Sequence, residues 1–107
     1  MGILKELQLD QVGWVQHNFP NRTNYQPLLG IVEEIGELSH AHLKHEQNIR
    51  TDENHQIAKI DAVGDIIIYL SDYCTANGID LEDAVIQTWK QVKVRDWIRF
   101  PKNGLTE

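Results

Sequence analysis

Positive charge is the first shortage in this chain of 107 residues: ten Lys and Arg stand against sixteen Asp and Glu, a formal charge of -6. That balance excludes a non-specific duplex binder, which needs a basic face to neutralise phosphates. A small phosphorylated ligand is still allowed, because a bound cation reverses the local field. Cysteine is nearly missing. Cys74 is the only one, so no internal disulfide forms, and its apolar neighbours in "YLSDYCTAN" read as the surroundings of a buried thiol rather than a nucleophile. No apolar run approaches the roughly 18 to 20 residues that span a bilayer, and "MGILKELQLD" has no signal-peptide core. The expectation is a cytoplasmic protein with no membrane and no nucleic-acid polymer as partner. Glycine motifs of the P-loop and dinucleotide-binding types are also missing, so phosphates are not held in either of those ways. Proline is confined to Pro20, Pro27 and Pro101, which leaves the middle of the chain free of the strongest helix breaker.

What is present is helical patterning and enough apolar content, 41%, for one packed core. The spacing predicts a first helix over about 3–17, with Leu4, Leu7, Val12 and Val15 on its apolar side. A loop "NFPNRTNYQP" follows, then a second helix from near Pro27 to about Gln47. A polar connection leads to a third helix over about Ile57 to Ala76. Gly78 reads as its stop and Asp80 as the N-cap of a fourth helix, from Leu81 to about Ile98. No stretch alternates as a strand does. The chain reads as a single all-α domain, a four-helix bundle over 1–107.

The stretch "GIVEEIGEL" sets Glu33, Glu34 and Glu37 into a helix face that also carries Ile31, Val32, Ile35 and Leu38. With about 100° per residue, Glu34 borders the apolar arc and Glu37 lies about 60° to its other side. Gly30 and Ala41 lie between them, small residues that leave room for a ligand. In the third helix "IAKIDAVGDIIIYLSDYC" is apolar almost all round, as a central helix is. Asp61 and Asp65 nevertheless project from it within about 40° of each other, with Asp72 on the same line. Carboxylate pairs on two helices that pack together suit an oxygen-ligated hard cation such as Mg²⁺ or Mn²⁺. The ordinary alternatives are a solvated acidic face and ion pairs with Lys44, Arg50 or Lys59. A di-iron bundle is disfavoured, since Glu37 and His40 form the only Glu-x-x-His pair.

These residues resemble the MazG-like, all-α nucleoside triphosphate pyrophosphohydrolases. That family carries "EExxE" on one helix, matched by Glu33-Glu34-Ile35-Gly36-Glu37, and "ExxD" on another, where Asp65 matches the Asp. Ala62 stands at the motif's Glu position and Asp61 one residue earlier. "LLGIVEEIGELSHAHLKHEQNIR", "DAVGDIIIYL" and "VKVRDW" extend the resemblance over about residues 14 to 104. It implies Mg²⁺-dependent cleavage of a (d)NTP between the α and β phosphates, giving the monophosphate and pyrophosphate as nucleotide-pool housekeeping. It also implies a homodimer or a homotetramer built as a dimer of dimers, with sites near subunit contacts. Carried over by position, Glu34, Glu37 and Asp65 are metal ligands. Glu33 holds a second metal or orients the attacking water, which makes Glu33, Glu34 and Glu37 the catalytic set. Asp61 is expected to supply the fourth carboxylate from one residue earlier.

Lys93 and Arg95, in "VKVRDW", are where the resemblance places phosphate-contacting cations; a solvated helix end is the simpler reading. Trp14, Trp89 and Trp97 read first as core residues. Trp14 is the best placed of the three to stack on a base, beside a loop where Asn18, Asn21 or Asn24 could read base edges. The five histidines lack the second pair that a zinc site needs, and read as a polar face of the second helix. Against the enzyme stand a non-catalytic helical module that binds nucleotide or a partner, and an acidic interaction module. The related phosphoribosyl-ATP pyrophosphohydrolases share the fold class.

Overall fold

A computed structural model describes residues 2–107. Four helices follow one another: α1 (Ile3–Asn18), α2 (Gln26–Gln47), α3 (His55–Ala76) and α4 (Leu81–Val92), with no strand among the described residues. The all-α class expected from the sequence is the class observed.

Local chemistry sets most of the helix ends. Asn54 caps α3 by accepting the Ile57 N–H at 3.0 Å, and Asp80 caps α4 by accepting the Asp83 N–H at 3.0 Å. After α3 the chain turns at Gly78, whose φ of +70° suits glycine. α4 ends at Val92, six residues before the expected Ile98. Asp96 organises the residues beyond it. Its Oδ1 accepts the N–H groups of Ile98 and Arg99 at 3.1 and 3.0 Å, and its own N–H donates to the Gly104 carbonyl at 2.8 Å. A short polar side chain thus holds the residues after α4 in a turn of their own.

α3 is the central element. It packs along α2 over most of its length, meets α1 and touches α4, while α1 also touches α4. Among the described residues α2 meets neither α1 nor α4, so one chain does not close into a bundle around a single core. Its radius of gyration is 17.6 Å, where a compact domain of about 100 residues has roughly 13 Å. Polar ties hold α1 and its loop to α3. Gln11 Nε2 donates to the Ile68 carbonyl at 2.8 Å, and Gln8 Nε2 to Thr75 Oγ1 at 3.2 Å. Arg22 forks onto both oxygens of Asp72 at 2.9 to 3.1 Å, a geometry only Arg offers.

The α2–α3 seam differs from the expected one. The residues of α2 that are buried are Pro27, Glu34 and Ala41, the line of small and acidic residues. The apolar arc of Leu28, Val32 and Ile35 stays exposed. On α3, Ala62 lies in the seam while Ile60 and Val63 face outward. Gly30 gives close approach rather than ligand space: a Cβ there would run into the Tyr69 ring.

Candidate functional site

The seam brings the acidic residues of α2 together. Carboxylate oxygens of Glu33, Glu34 and Glu37 lie within 4.8 Å of one another. Glu33 and Glu37 are exposed, but Glu34 is only 7% exposed. Its Oε2 has no hydrogen-bond partner among the described residues. Burial first, then the negative charges of Glu37 and Asp65, a side-chain hydrogen bond with Glu37 and the charge of Glu33, hold the Glu34 carboxyl above its ordinary range. A buried carboxylate among like charges is costly unless something completes it.

Across the seam, half-buried Asp65 shares a cavity of about 640 Å³ with Glu33, Glu37, His40, His55 and Asp61. Asp61 is exposed, and Ala62, 2% exposed, is the residue that points inward beside Asp65. The fourth carboxylate therefore sits on the cavity wall rather than within the three-glutamate cluster. A smaller cavity of about 220 Å³ is lined by Glu34 and Asp65 together with Trp14, Phe19 and Tyr69. The Tyr69 phenol is pushed up by burial and then by Glu33, Glu34, Asp65 and Glu37, so it keeps its proton.

None of the ion pairs among the described residues involves Glu33, Glu34, Glu37, Asp61 or Asp65. The cations considered as neutralisers are engaged elsewhere. Arg50 pairs with Glu53 at 3.8 Å, Lys59 Nζ lies 3.0 Å from His45 Nδ1, and Lys44 donates to Gln47 at 3.3 Å. Asp72, expected on the acidic line, is taken by Arg22. The donor set is all oxygen, the kind that hard divalent cations accept. His45 and His55 have ring centroids 5.9 Å apart, and among the described residues no grouping of metal-binding side chains includes them.

The substrate-binding candidates separate. Trp14 lines the smaller cavity beside Glu34. It is 56% exposed, and Trp89 and Trp97 are also exposed, so none of the three is the core residue expected. Asn18 donates to the Trp14 carbonyl at 2.9 Å, serving the end of α1 and lining none of the cavities that border the carboxylates. Lys93 and Arg95 follow α4 and line none of those cavities either. Gln11, Arg22 and Tyr69 were not singled out from the sequence. Tyr69 had a signal, four residues after Asp65 on the same face; Gln11 had a fainter one, a polar residue four before Val15 on an apolar line. No model of a known protein family, no curated protein and no solved structure matches the chain.

Proposed function

We propose that the protein is a divalent-metal-dependent nucleoside triphosphate pyrophosphohydrolase of the MazG-like type, cleaving a (d)NTP to the monophosphate and pyrophosphate. The observation that carries this reading is Glu34: a buried carboxylate with an unpartnered oxygen, 4.8 Å or less from two others. Those residues fit a hard cation by donor type and by the charge they leave uncompensated. Glu34 and Glu37 would hold Mg²⁺ or Mn²⁺ with Asp65, and Asp61 would approach from the cavity wall. When bound, the ion neutralises phosphate charge and orients the group for attack. Glu33, exposed at the cavity edge, would orient or deprotonate water. No covalent nucleophile is required, and burial pushes the Cys74 thiol up, away from the reactive thiolate.

The same reading includes a homodimer or homotetramer. The exposed apolar arcs of α2 and α3 give one copy a surface for another, and Lys93 and Arg95 would reach the phosphates from a second copy. The test is incubation with each dNTP and NTP, with Mg²⁺ and then with EDTA, products being resolved by chromatography. Monophosphate plus pyrophosphate is expected, lost with chelator and in Glu37→Gln. Absence of turnover with a folded oligomer would instead favour the non-catalytic nucleotide- or partner-binding module. One observation leans that way: buried Ala62 stands where the resemblance calls for a Glu.

A further inference from the structure

Arg22 is the only Lys or Arg on the wall of the cavities that border the carboxylates. It lines a space of about 300 Å³ between the α1–α2 loop, α2 and α3, together with Asp72, Tyr69, Gly30 and Glu33. Glu33 also lines the cavity of about 640 Å³, so the two spaces share a wall at the three-glutamate cluster.

Asp72 fixes how Arg22 is presented. Nε and Nη2 carry all three bonds to its carboxylate, and the two side chains are 25% and 11% exposed. Nη1 makes no hydrogen bond among the described residues, and it is not one of the buried polar atoms without a partner. Its N–H groups are therefore open to solvent, on a side chain that lines the space. Arg22 makes no ion pair with Glu33, Glu34 or Glu37. A guanidinium held by one edge gives up little further freedom when the other edge binds. Its planar N–H donors suit the oxygens of a phosphate.

Alone the space is no anion site, because Asp72 and Glu33 outweigh one guanidinium. A divalent cation on the glutamates reverses that balance. An anion lying between cation and guanidinium then meets positive charge on both sides, and the end of a triphosphate is such an anion.

We propose that Arg22 Nη1 contacts the pyrophosphate end of the nucleotide, from the same chain whose glutamates hold the cation. The inference rests on the function proposed above and deepens it. It also departs from the resemblance, which places the phosphate contacts at Lys93 and Arg95. Arg22 binds and orients here, and transfers no proton.

The test is calorimetric titration of the full chain with inorganic pyrophosphate, with and without Mn²⁺. Three proteins are compared: unaltered, Asp72→Asn, and Asp72→Asn combined with Arg22→Ala. Neither variant strands a carboxylate at position 72, and only the second lacks the guanidinium. With Mn²⁺, the double variant is expected to hold pyrophosphate at least about tenfold more weakly than Asp72→Asn, as for a lost hydrogen bond to a charged group. Mn²⁺ affinity itself should stay within about twofold. A purely structural Arg22 would move both affinities together or neither.

Equal pyrophosphate binding by the two variants overturns the proposal, as does failure of the unaltered protein to bind pyrophosphate. Should the double variant fail to fold, the Arg22 side-chain nitrogen resonances of the unaltered protein decide at matched ionic strength. A shift of Nη1 with pyrophosphate is expected, and its absence contradicts the contact. If the unaltered protein binds no Mn²⁺, the proposed enzyme fails; pyrophosphate binding that still falls with Arg22→Ala then keeps the anion site, and its absence overturns both. Mn²⁺ binding with pyrophosphate held equally by the two variants leaves the enzyme and removes Arg22 from it.

Discussion

Glu34 and Asp72 are two buried carboxylates whose surroundings differ in one respect: Asp72 is met by Arg22, and Glu34 by other carboxylates. Opposite consequences follow for their neutral variants. Arg22→Ala strands the Asp72 charge in a part-buried pair, and should cost about 1 to 3 kcal/mol. Urea unfolding checks it, and adding Asp72→Asn should restore much of the loss. Glu34→Gln removes a repelled charge. The metal-free melting temperature should rise, and the stabilisation by added Mg²⁺ should disappear. A variant melting lower without metal would show that the Glu34 charge is already balanced within the chain.

Helix ends and helix faces carry the next set of effects. Asn54→Ala should cost about 1 kcal/mol through the lost cap of α3. Gly30→Ala should cost about 1 to 3 kcal/mol by overpacking against Tyr69; both are measurable in one denaturant series. The α4 cap also titrates. The Asp80 carboxyl is held below its ordinary value, first by the Asp83 backbone N–H and then by Lys5, which pairs with it at 2.9 Å. The unfolded chain thus takes up this proton before the folded one. The stability it contributes is complete above the ordinary carboxylate value of 3.8, and is lost as pH falls from there through the lowered one. Asp80→Asn should flatten that acid-range slope of melting temperature against pH relative to the unaltered protein. Caps of this kind are legible in sequence, which is why Asp80 and Gly78 were readable, and the start of α2 was readable from Pro27 in its first turn. The end of α4 was not, since the residues beyond Val92 are held by bonds among Asp96, Ile98 and Gly104 that span the following loop. Nor was the α2–α3 seam. Periodicity shows that Leu28, Val32 and Ile35 share an arc, but not which surface covers it, and within one chain the smaller line of Gly30, Glu34 and Ala41 wins the contact. The acidic pairs were legible as spacing alone; that Glu34 is the buried one depends on that choice of seam.

The whole molecule carries that choice outward. The proposed oligomer accounts for a radius of gyration of 17.6 Å and apolar arcs exposed on two helices. Sedimentation is expected to give a dimer or tetramer, and Val32→Lys, placing a charge on the exposed arc, should shift it toward monomer; a monomer at micromolar concentration in the unaltered protein would contradict this. Lys93 and Arg95 are joined to the same prediction, for if they serve the site from a second copy, dissociation should abolish turnover even with the glutamates intact. Everything nevertheless turns on the cation. The most direct measurement is Mn²⁺ titration followed by electron paramagnetic resonance, on the unaltered protein and on Glu34→Gln, Glu37→Gln and Asp61→Ala. Loss of the free Mn²⁺ signal on addition of the unaltered protein, its recovery with both glutamate variants, and weaker binding in Asp61→Ala are predicted. Equal Mn²⁺ binding by the unaltered protein and Glu34→Gln, or none by either, would contradict the account at its centre.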